Sequence, residues 1–363
     1  MDLTSLSLEQ KVGQLFFIGI PGPELDVPTN SILDDVGPGG ICLFARNIKS
    51  REQTRELNDA LREQLPTLPL ISVDEEGGIV DRLRRIMTPI PAAGMMRSAQ
   101  DAAMLGQIVG RSLSLLGFNM DFAPVVDVVT EERGRQSNGL YNRPFGKSAD
   151  DVIAMAGPFN DEIRRYGIRS CIKHFPGYGA TTVDSHEELP VVEITEDEFQ
   201  TLDLEPYRQL LPQADSVMIA HATYPNVALQ EHDRNGRLLP SSLSYNFVSD
   251  LLRGQLDFDG LVVTDDLEMG AVIKNYGIGD GCVMAINAGC DMLAICADQQ
   301  RIRDGYRTVL SAAQTGDIPL QQIDRSVQRI ASLKQKISPP PAFDNGALDE
   351  LCSDTTSLVE RLG

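Results

Sequence analysis

Apolar runs of strand length recur along the chain, separated by stretches in which apolar residues return every three or four positions. Eight runs stand out, at 13–20 (GQLFFIGI), 40–45 (GICLFA), 70–74 (LISVD), 119–125 (NMDFAPV), 170–175 (SCIKHF), 216–221 (SVMIAH), 261–265 (LVVTD) and 291–296 (DMLAIC). They are β-branched and apolar on both faces rather than alternating, which is the pattern of strands covered on both sides in a parallel sheet. Between them, 51–65 carries Leu57, Leu61 and Leu65 at i, i+4 and i+8, followed by Pro66 as a stop. Segments 99–116, 148–166 and 196–211 have similar periodicity. In 320–337, Leu320, Ile323, Val327, Ile330, Leu333 and Ile337 share one face before Pro339-Pro340-Pro341. Strands alternating with helices predict an α/β chain. Eight of them favour a single TIM-like (β/α)8 barrel over residues 1–340 rather than two doubly wound domains. The short gap between the first two runs predicts an irregular βα unit there, with its helix missing or shortened. Residues 341–363 are expected to be a C-terminal tail and no separate domain.

Barrels of this type place their chemistry at the C-terminal ends of the strands, so the residues that follow each run matter most. The third run leads into Asp74-Glu75-Glu76-Gly77-Gly78, with Arg82 just beyond, and the fourth leads to Asp127. The fifth ends in Lys173-His174-Phe175-Pro176-Gly177, the sixth in His221 and the seventh in Asp265-Asp266. Of four histidines in the chain, His174 and His221 stand at predicted strand ends and His186 on the loop after the fifth. Ionisable groups often flank strands singly; their recurrence at one rim points to a shared site.

Composition narrows the chemistry. Against 52 Asp+Glu stand 32 Lys+Arg, a formal net charge of −20 over 363 residues. Such a surface repels phosphate backbones and anionic lipids, so no nucleic-acid or membrane partner is expected. No apolar run approaches the roughly 20 residues that cross a bilayer. The opening Met1-Asp2-Leu3-Thr4-Ser5 lacks the basic and apolar parts of a signal peptide. A cytoplasmic monomer acting on a small-molecule substrate is the expectation. The six cysteines form no C-x-x-C pair, and they read as buried reduced thiols. Neither H-x-H nor H-E-x-x-H occurs, so no metal and no cofactor are expected.

Lys173-His174-Phe175-Pro176-Gly177, followed by Asp184-Ser185-His186 and Leu189-Pro190, resembles family 3 glycoside hydrolases. The likeness is to their single-domain β-N-acetylhexosaminidase branch. It extends through Asp74-Glu75-Glu76-Gly77-Gly78, Phe122-Ala123-Pro124-Val125-Val126-Asp127, Met218-Ile219-Ala220-His221 and Thr264-Asp265-Asp266-Leu267-Glu268-Met269. It covers about residues 5–335 in the family's order. The resemblance implies a TIM-like barrel and an exo-acting retaining enzyme that removes terminal β-linked N-acetylglucosamine (GlcNAc), with peptidoglycan-derived fragments as the expected substrate. It also implies that Asp265 is the nucleophile and that Asp184 and His186 are an acid/base dyad. Asp74, Arg82, Arg143, Lys173 and His174 match the sugar-binding positions, and His221 lies in a site-lining motif. The chain departs from the family pattern at Tyr178, where a His is usual, and at Ala180, where an Asp is common.

The residue types suit these roles. Retaining hydrolysis needs a nucleophile on one face of the sugar and a proton donor beside the leaving oxygen. An ionised Asp at a rigid strand end serves the first, whereas Asp266 reads as a helix N-cap. A His near pKa 6.5 can give and retake a proton around neutrality. In extended backbone its i−2 carboxylate lies on the same side and can orient it, as in a catalytic triad. Lys173, Arg82 and Arg143 would donate to sugar hydroxyls and Asp74 would accept from them. A β-glucosidase, a phosphorylase that uses phosphate in place of water, and an inactive sugar-binding barrel remain alternatives. The absence of Trp favours a pocket for one terminal sugar over a groove built from broad aromatic platforms.

Overall fold

The computed structural model describes residues 3–135, 140, 142–181 and 189–363. Eight parallel strands close into a barrel in sequence order: β1 (Phe16–Gly19), β2 (Gly40–Leu43), β3 (Leu70–Val73), β4 (Met120–Asp121), β5 (Arg169–Phe175), β6 (Ser216–Ile219), β7 (Leu261–Asp266) and β8 (Met292–Ile295), with β8 pairing back onto β1. Every residue of β1, β2, β3, β6 and β8 is buried, as their unbroken apolar character requires. The barrel is packed through its middle. Phe17 of β1 meets Phe122, just after β4, edge to face with ring centroids 5.2 Å apart. Those strands are not neighbours, so this contact runs through the interior.

The helical periodicities become the outer layer. Arg51–Gln64, Ala99–Leu115 and Ala149–Arg165 each begin after a serine, and Ser50, Ser98 and Ser148 accept from the N–H groups of Gln53, Asp101 and Asp151. These side chains satisfy backbone donors that have no partner within the helix, which fixes where each helix starts. The segment 196–211 is less regular than its pattern predicts, breaking into Glu196–Glu198, a π-turn at Phe199–Asp203 and Glu205–Leu210.

The first βα unit differs from expectation. The run at 13–20 begins as the end of a helix, Leu8–Gln14, held by a capping box between Ser7 and Gln10, and the strand starts at Phe16. The gap after β1 holds a full helix, Val27–Val36, where a missing or shortened one is expected. Its apolar face is thin, with Ile32, Leu33 and Val36 as the large buried side chains. Its ends are well marked: Asp26 caps it, Pro28 sits in the first turn and Gly37 closes it in the left-handed conformation. Beyond the proline triplet, Asn345–Leu362 is a helix whose Leu348, Leu351, Leu358 and Leu362 are buried, and it packs against Ala99–Leu115.

At the N-terminal end of the strands a single buried carboxylate ties three elements together. Asp291, fully buried just before β8, accepts from Arg253 at 2.6 Å, the Val262 N–H at 2.9 Å, Ser326 at 2.9 Å and Arg329 at 3.2 Å. Removing one member of such a set strands the charges it balanced. Asp291→Ala should therefore lower the thermal midpoint of unfolding by several degrees, with turnover of the folded fraction retained. An unchanged midpoint contradicts this account.

Candidate active site

The opposite end of the barrel opens into a cavity of about 310 Å³. Asp74, Arg82, Arg143, Lys173, His174, His221 and Asp265 all line it. These are the predicted site residues that fall among the described ones; Asp184 and His186 lie outside them.

Two strand irregularities explain how consecutive side chains reach one cavity. In a regular strand neighbours face opposite sides. The pairing of β5 with β6 slips between Ile172 and Phe175, at Lys173 and His174. The pairing of β7 with β8 slips between Val263 and Asp266, at Asp265. Local shifts of this kind re-aim side chains beside active sites. The slips therefore bring Lys173 with His174, and Asp265 with Asp266, to the same wall.

Charge pairing organises the rest. The Lys173 ammonium, 2% exposed, donates to Asp74 at 2.6 Å and pairs with Glu76 at 2.6 Å. Asp74 and Glu76 stand two residues apart, which puts both on the same side of an extended chain. Arg143 grips Glu76 with two bonds, from Nε at 2.7 Å and Nη2 at 3.0 Å. Burial opposes ionisation of Glu76, but Lys173 and Arg143 outweigh it and hold the carboxyl far below the usual carboxylate range. Burial likewise opposes the Lys173 charge, and Asp74 and Glu76 overcome it, keeping the ammonium protonated above its usual range.

His174 is held by Asp127, whose Oδ2 lies 2.8 Å from Nδ1. Asp127 also accepts from the backbone N–H of His174 at 3.3 Å and of Tyr178 at 2.6 Å. Nε2 of His174 faces Arg143 Nη2 at 3.5 Å. The Tyr178 ring, where the family pattern has a His, tilts against His174 with centroids 5.8 Å apart. His221 places Nδ1 2.6 Å from Ser242 Oγ and Nε2 3.1 Å from the Asp266 carbonyl. A carbonyl only accepts, so Nε2 carries the proton. His221 thus braces the Asp265–Asp266 turn while lining the cavity.

Asp265 ends β7 inside the cavity, its Oδ1 accepting the Asp266 N–H at 2.8 Å. Burial raises its pKa, but His174, His221, that N–H and Lys173 together bring it below the usual range. It is an anion through the neutral range. Its neighbour is tuned the other way. Burial, with Glu268 and Asp265 nearby, pushes the Asp266 carboxyl up to about 7, despite the Glu268 N–H on its Oδ1.

Several functional positions escaped sequence reasoning. Glu76 could have been found by its i+2 spacing from Asp74, and Asp127 by its strand-end position. Glu75 carries no such signal. Buried behind the cavity, its Oε2 accepts the N–H groups of Arg82 at 2.8 Å and Leu83 at 3.0 Å, fixing the Arg82 turn. Burial, then Asp81 and Asp121, raise its pKa well above the usual range. Gly77 makes the same turn possible, with φ +77° and a Cβ position only 2.3 Å from the Pro91 carbonyl oxygen. Arg82 Nε is buried with no hydrogen-bond partner among the described residues.

An eight-stranded parallel barrel with a charge-paired pocket at the C-terminal rim defines a TIM-barrel enzyme, here with an ionised Asp at the end of β7. Residues 7–333 match the Glycosyl hydrolase family 3 N terminal domain, and the chain belongs to that family and is a glycoside hydrolase. It is 34% identical over 286 residues to a beta-hexosaminidase of Tolumonas auensis, covering 77% of this chain and 81% of that protein. Its fold is similar to that of a family 3 beta-N-acetylglucosaminidase from Paenibacillus sp., with TM-score 0.88, 33% identity, and coverage of 98% of this chain and 69% of that one. It is also similar to a beta-N-acetylhexosaminidase from Beutenbergia cavernae, with TM-score 0.81, 29% identity, and coverage of 92% and 99%. No helix among the described residues is long and apolar enough to cross a membrane.

The Asp266 shift has a testable sign. A carboxyl raised in the folded state destabilises the fold as pH climbs from its unfolded value to its folded one. Below pH 3.8 both states are neutral, and above about 7 the penalty is complete. Asp266→Asn keeps an acceptor for the Glu268 N–H, so it should raise the thermal midpoint at pH 7.5 and leave it nearly unchanged at pH 3.8. An equal effect at both pH values contradicts the assignment.

Proposed function

We propose that this chain is an exo-acting retaining β-N-acetylglucosaminidase that works through a covalent glycosyl–enzyme intermediate. The observation that carries the proposal is the Asp265 carboxylate, half-buried near the end of β7 and held ionised in a cavity that also presents Asp74, Arg82, Arg143 and Lys173. The beta-hexosaminidase and beta-N-acetylglucosaminidase relatives support the choice of sugar. A volume of about 310 Å³ is at the small end of ligand pockets and suits one terminal residue rather than a bound chain.

In this mechanism Asp74 accepts from sugar hydroxyls while Lys173, Arg143 and Arg82 donate to them. His174, fixed by Asp127, presents Nε2 to the ring, and His221 holds the Asp266 carbonyl so that Asp265 stays aimed at the anomeric carbon. Asp265 attacks as the glycosidic bond breaks. His186, oriented by Asp184, gives the leaving oxygen its proton, then takes one from the water that releases the sugar. The proposed natural substrate is a peptidoglycan-derived fragment ending in β-linked GlcNAc, met in the cytoplasm; this part rests on the sequence resemblance.

Steady-state kinetics on p-nitrophenyl N-acetylglucosaminide and on a disaccharide with a poor leaving group test the roles. Asp265→Asn should lower kcat at least about a thousandfold on both. His186→Ala should cost kcat/KM roughly a hundredfold or more on the disaccharide and much less on the activated substrate, whose leaving group needs no proton. Full activity of Asp265→Asn, or an equal loss on both substrates for His186→Ala, would remove that residue from its role.

A further inference from the structure

The cavity holds two thiols that the proposed hydrolysis does not use. Cys42 of β2 and Cys296, which directly follows β8, both line it and are 1% and 4% exposed. Cys42 is in register with Gly19 of β1, and Ile295 with Ile18, so the two cysteines flank Gly19 from either side. Gly19 has no side chain to separate them. A Cβ there would fall 1.9 Å from the Cys296 carbonyl oxygen, so the position cannot take one without displacing that strand end. The neighbouring Cys42 thiol, burial, and the carboxylates of Asp266 and Asp74 push the Cys296 thiol well above its usual range.

This spacing does not favour a disulfide. Adjacent strands run about 4.8 Å apart, so residues on either side of one strand have Cα atoms roughly 9 Å apart. A disulfide takes about 4.4–6.8 Å. Two sulfurs each about 2.3 Å from one ion bridge the wider gap without moving backbone. Among the described residues no group of three or more His, Cys, Asp or Glu side chains could hold a metal, so a tetrahedral zinc-type site is not built. Two sulfurs alone suit a soft ion that accepts two-fold coordination.

We propose that Cys42 and Cys296 form a two-sulfur site for a soft monovalent cation of the Cu(I) type in the active-site cavity, and that its occupancy blocks the sugar site. Binding converts two thiols and one cation into a bis-thiolate complex with release of two protons, and it needs no oxidant. The complex carries one net negative charge and shares the cavity with the cations Arg82, Arg143 and Lys173 and with the carboxyl groups of Asp74, Glu76, Asp265 and Asp266. Cys171, Cys282 and Cys290 are buried elsewhere and do not line the cavity, and Cys352 lies outside it with its Sγ 3.2 Å from Arg51. Capture of the ion stands by itself; blocking rests on the assignment of this cavity as the glycosidase site.

The test is titration of the full chain with Ag(I), a redox-inert analogue of Cu(I), in a Cys352→Ser background. Native mass spectrometry reads occupancy, a pH indicator reads proton release, and p-nitrophenyl N-acetylglucosaminide reads turnover. One tightly held Ag(I) per chain, two protons released and loss of turnover at one equivalent are expected. Cys42→Ala and Cys296→Ala should each raise the concentration for half-occupancy roughly tenfold or more, because each removes one arm of the chelate. Absence of stoichiometric binding, or unchanged affinity in both variants, overturns the site. Full turnover in the occupied protein overturns the blocking. Occupancy read by mass is independent of turnover, so a chain without hydrolase activity still gives a clear answer on the site.

Discussion

Everything at the C-terminal rim depends on two carboxylates and two cations that neutralise one another out of water. Lys173 alone would be costly inside a barrel, and so would Glu76. Together, with Asp74 and Arg143, they form contacts of 2.6–3.0 Å that keep Lys173, Glu76 and Arg143 charged despite burial. The network draws β3, β5 and the segment bearing Arg143 into one wall. Around Asp265, His174 and His221 do most to offset the burial that would otherwise favour a neutral carboxyl, and the Asp266 N–H and Lys173 add to them. The nucleophile proposed here is thus kept ionised by groups that are themselves held in place, His174 by Asp127, His221 by Ser242 and Lys173 by Asp74 and Glu76.

Much of the barrel is legible in the sequence because parallel strands covered on both faces must be apolar throughout, and eight such runs are hard to produce otherwise. The helix Val27–Val36 is harder to see, since its apolar face is narrow and its evidence lies in its caps, Asp26 and Gly37. Helix Asn345–Leu362 follows a proline triplet and opens with Asn and Gly, which read as loop, yet its leucines are buried against Ala99–Leu115. In both, tertiary packing supplies what local propensity does not.

The site is legible for a different reason. Barrel topology assigns strand ends to one rim, so Asp74, Lys173, His174, His221 and Asp265 can be placed there from the positions of the runs alone. What the sequence does not display is the aiming. The register slips at Lys173–His174 and at Asp265 reverse the alternation rule locally, and no residue pattern announces them. A supporting carboxylate such as Glu75 is equally silent, because a buried acid and a solvated one are the same letter. The net charge of −20 gains a meaning in this light. Cations are the scarcer sign in this chain, and three of them, Arg82, Arg143 and Lys173, line this one cavity.

The central claim is that Asp265 becomes covalently bonded to the sugar. The most direct measurement is mass spectrometry of the protein after exposure to an activated, fluorinated GlcNAc analogue whose glycosyl–enzyme intermediate forms quickly and hydrolyses slowly. The account predicts one glycosyl group per chain, located by peptide mapping on Asp265. A label on another residue, or efficient turnover of the analogue's parent substrate with no covalent species trapped, would contradict it.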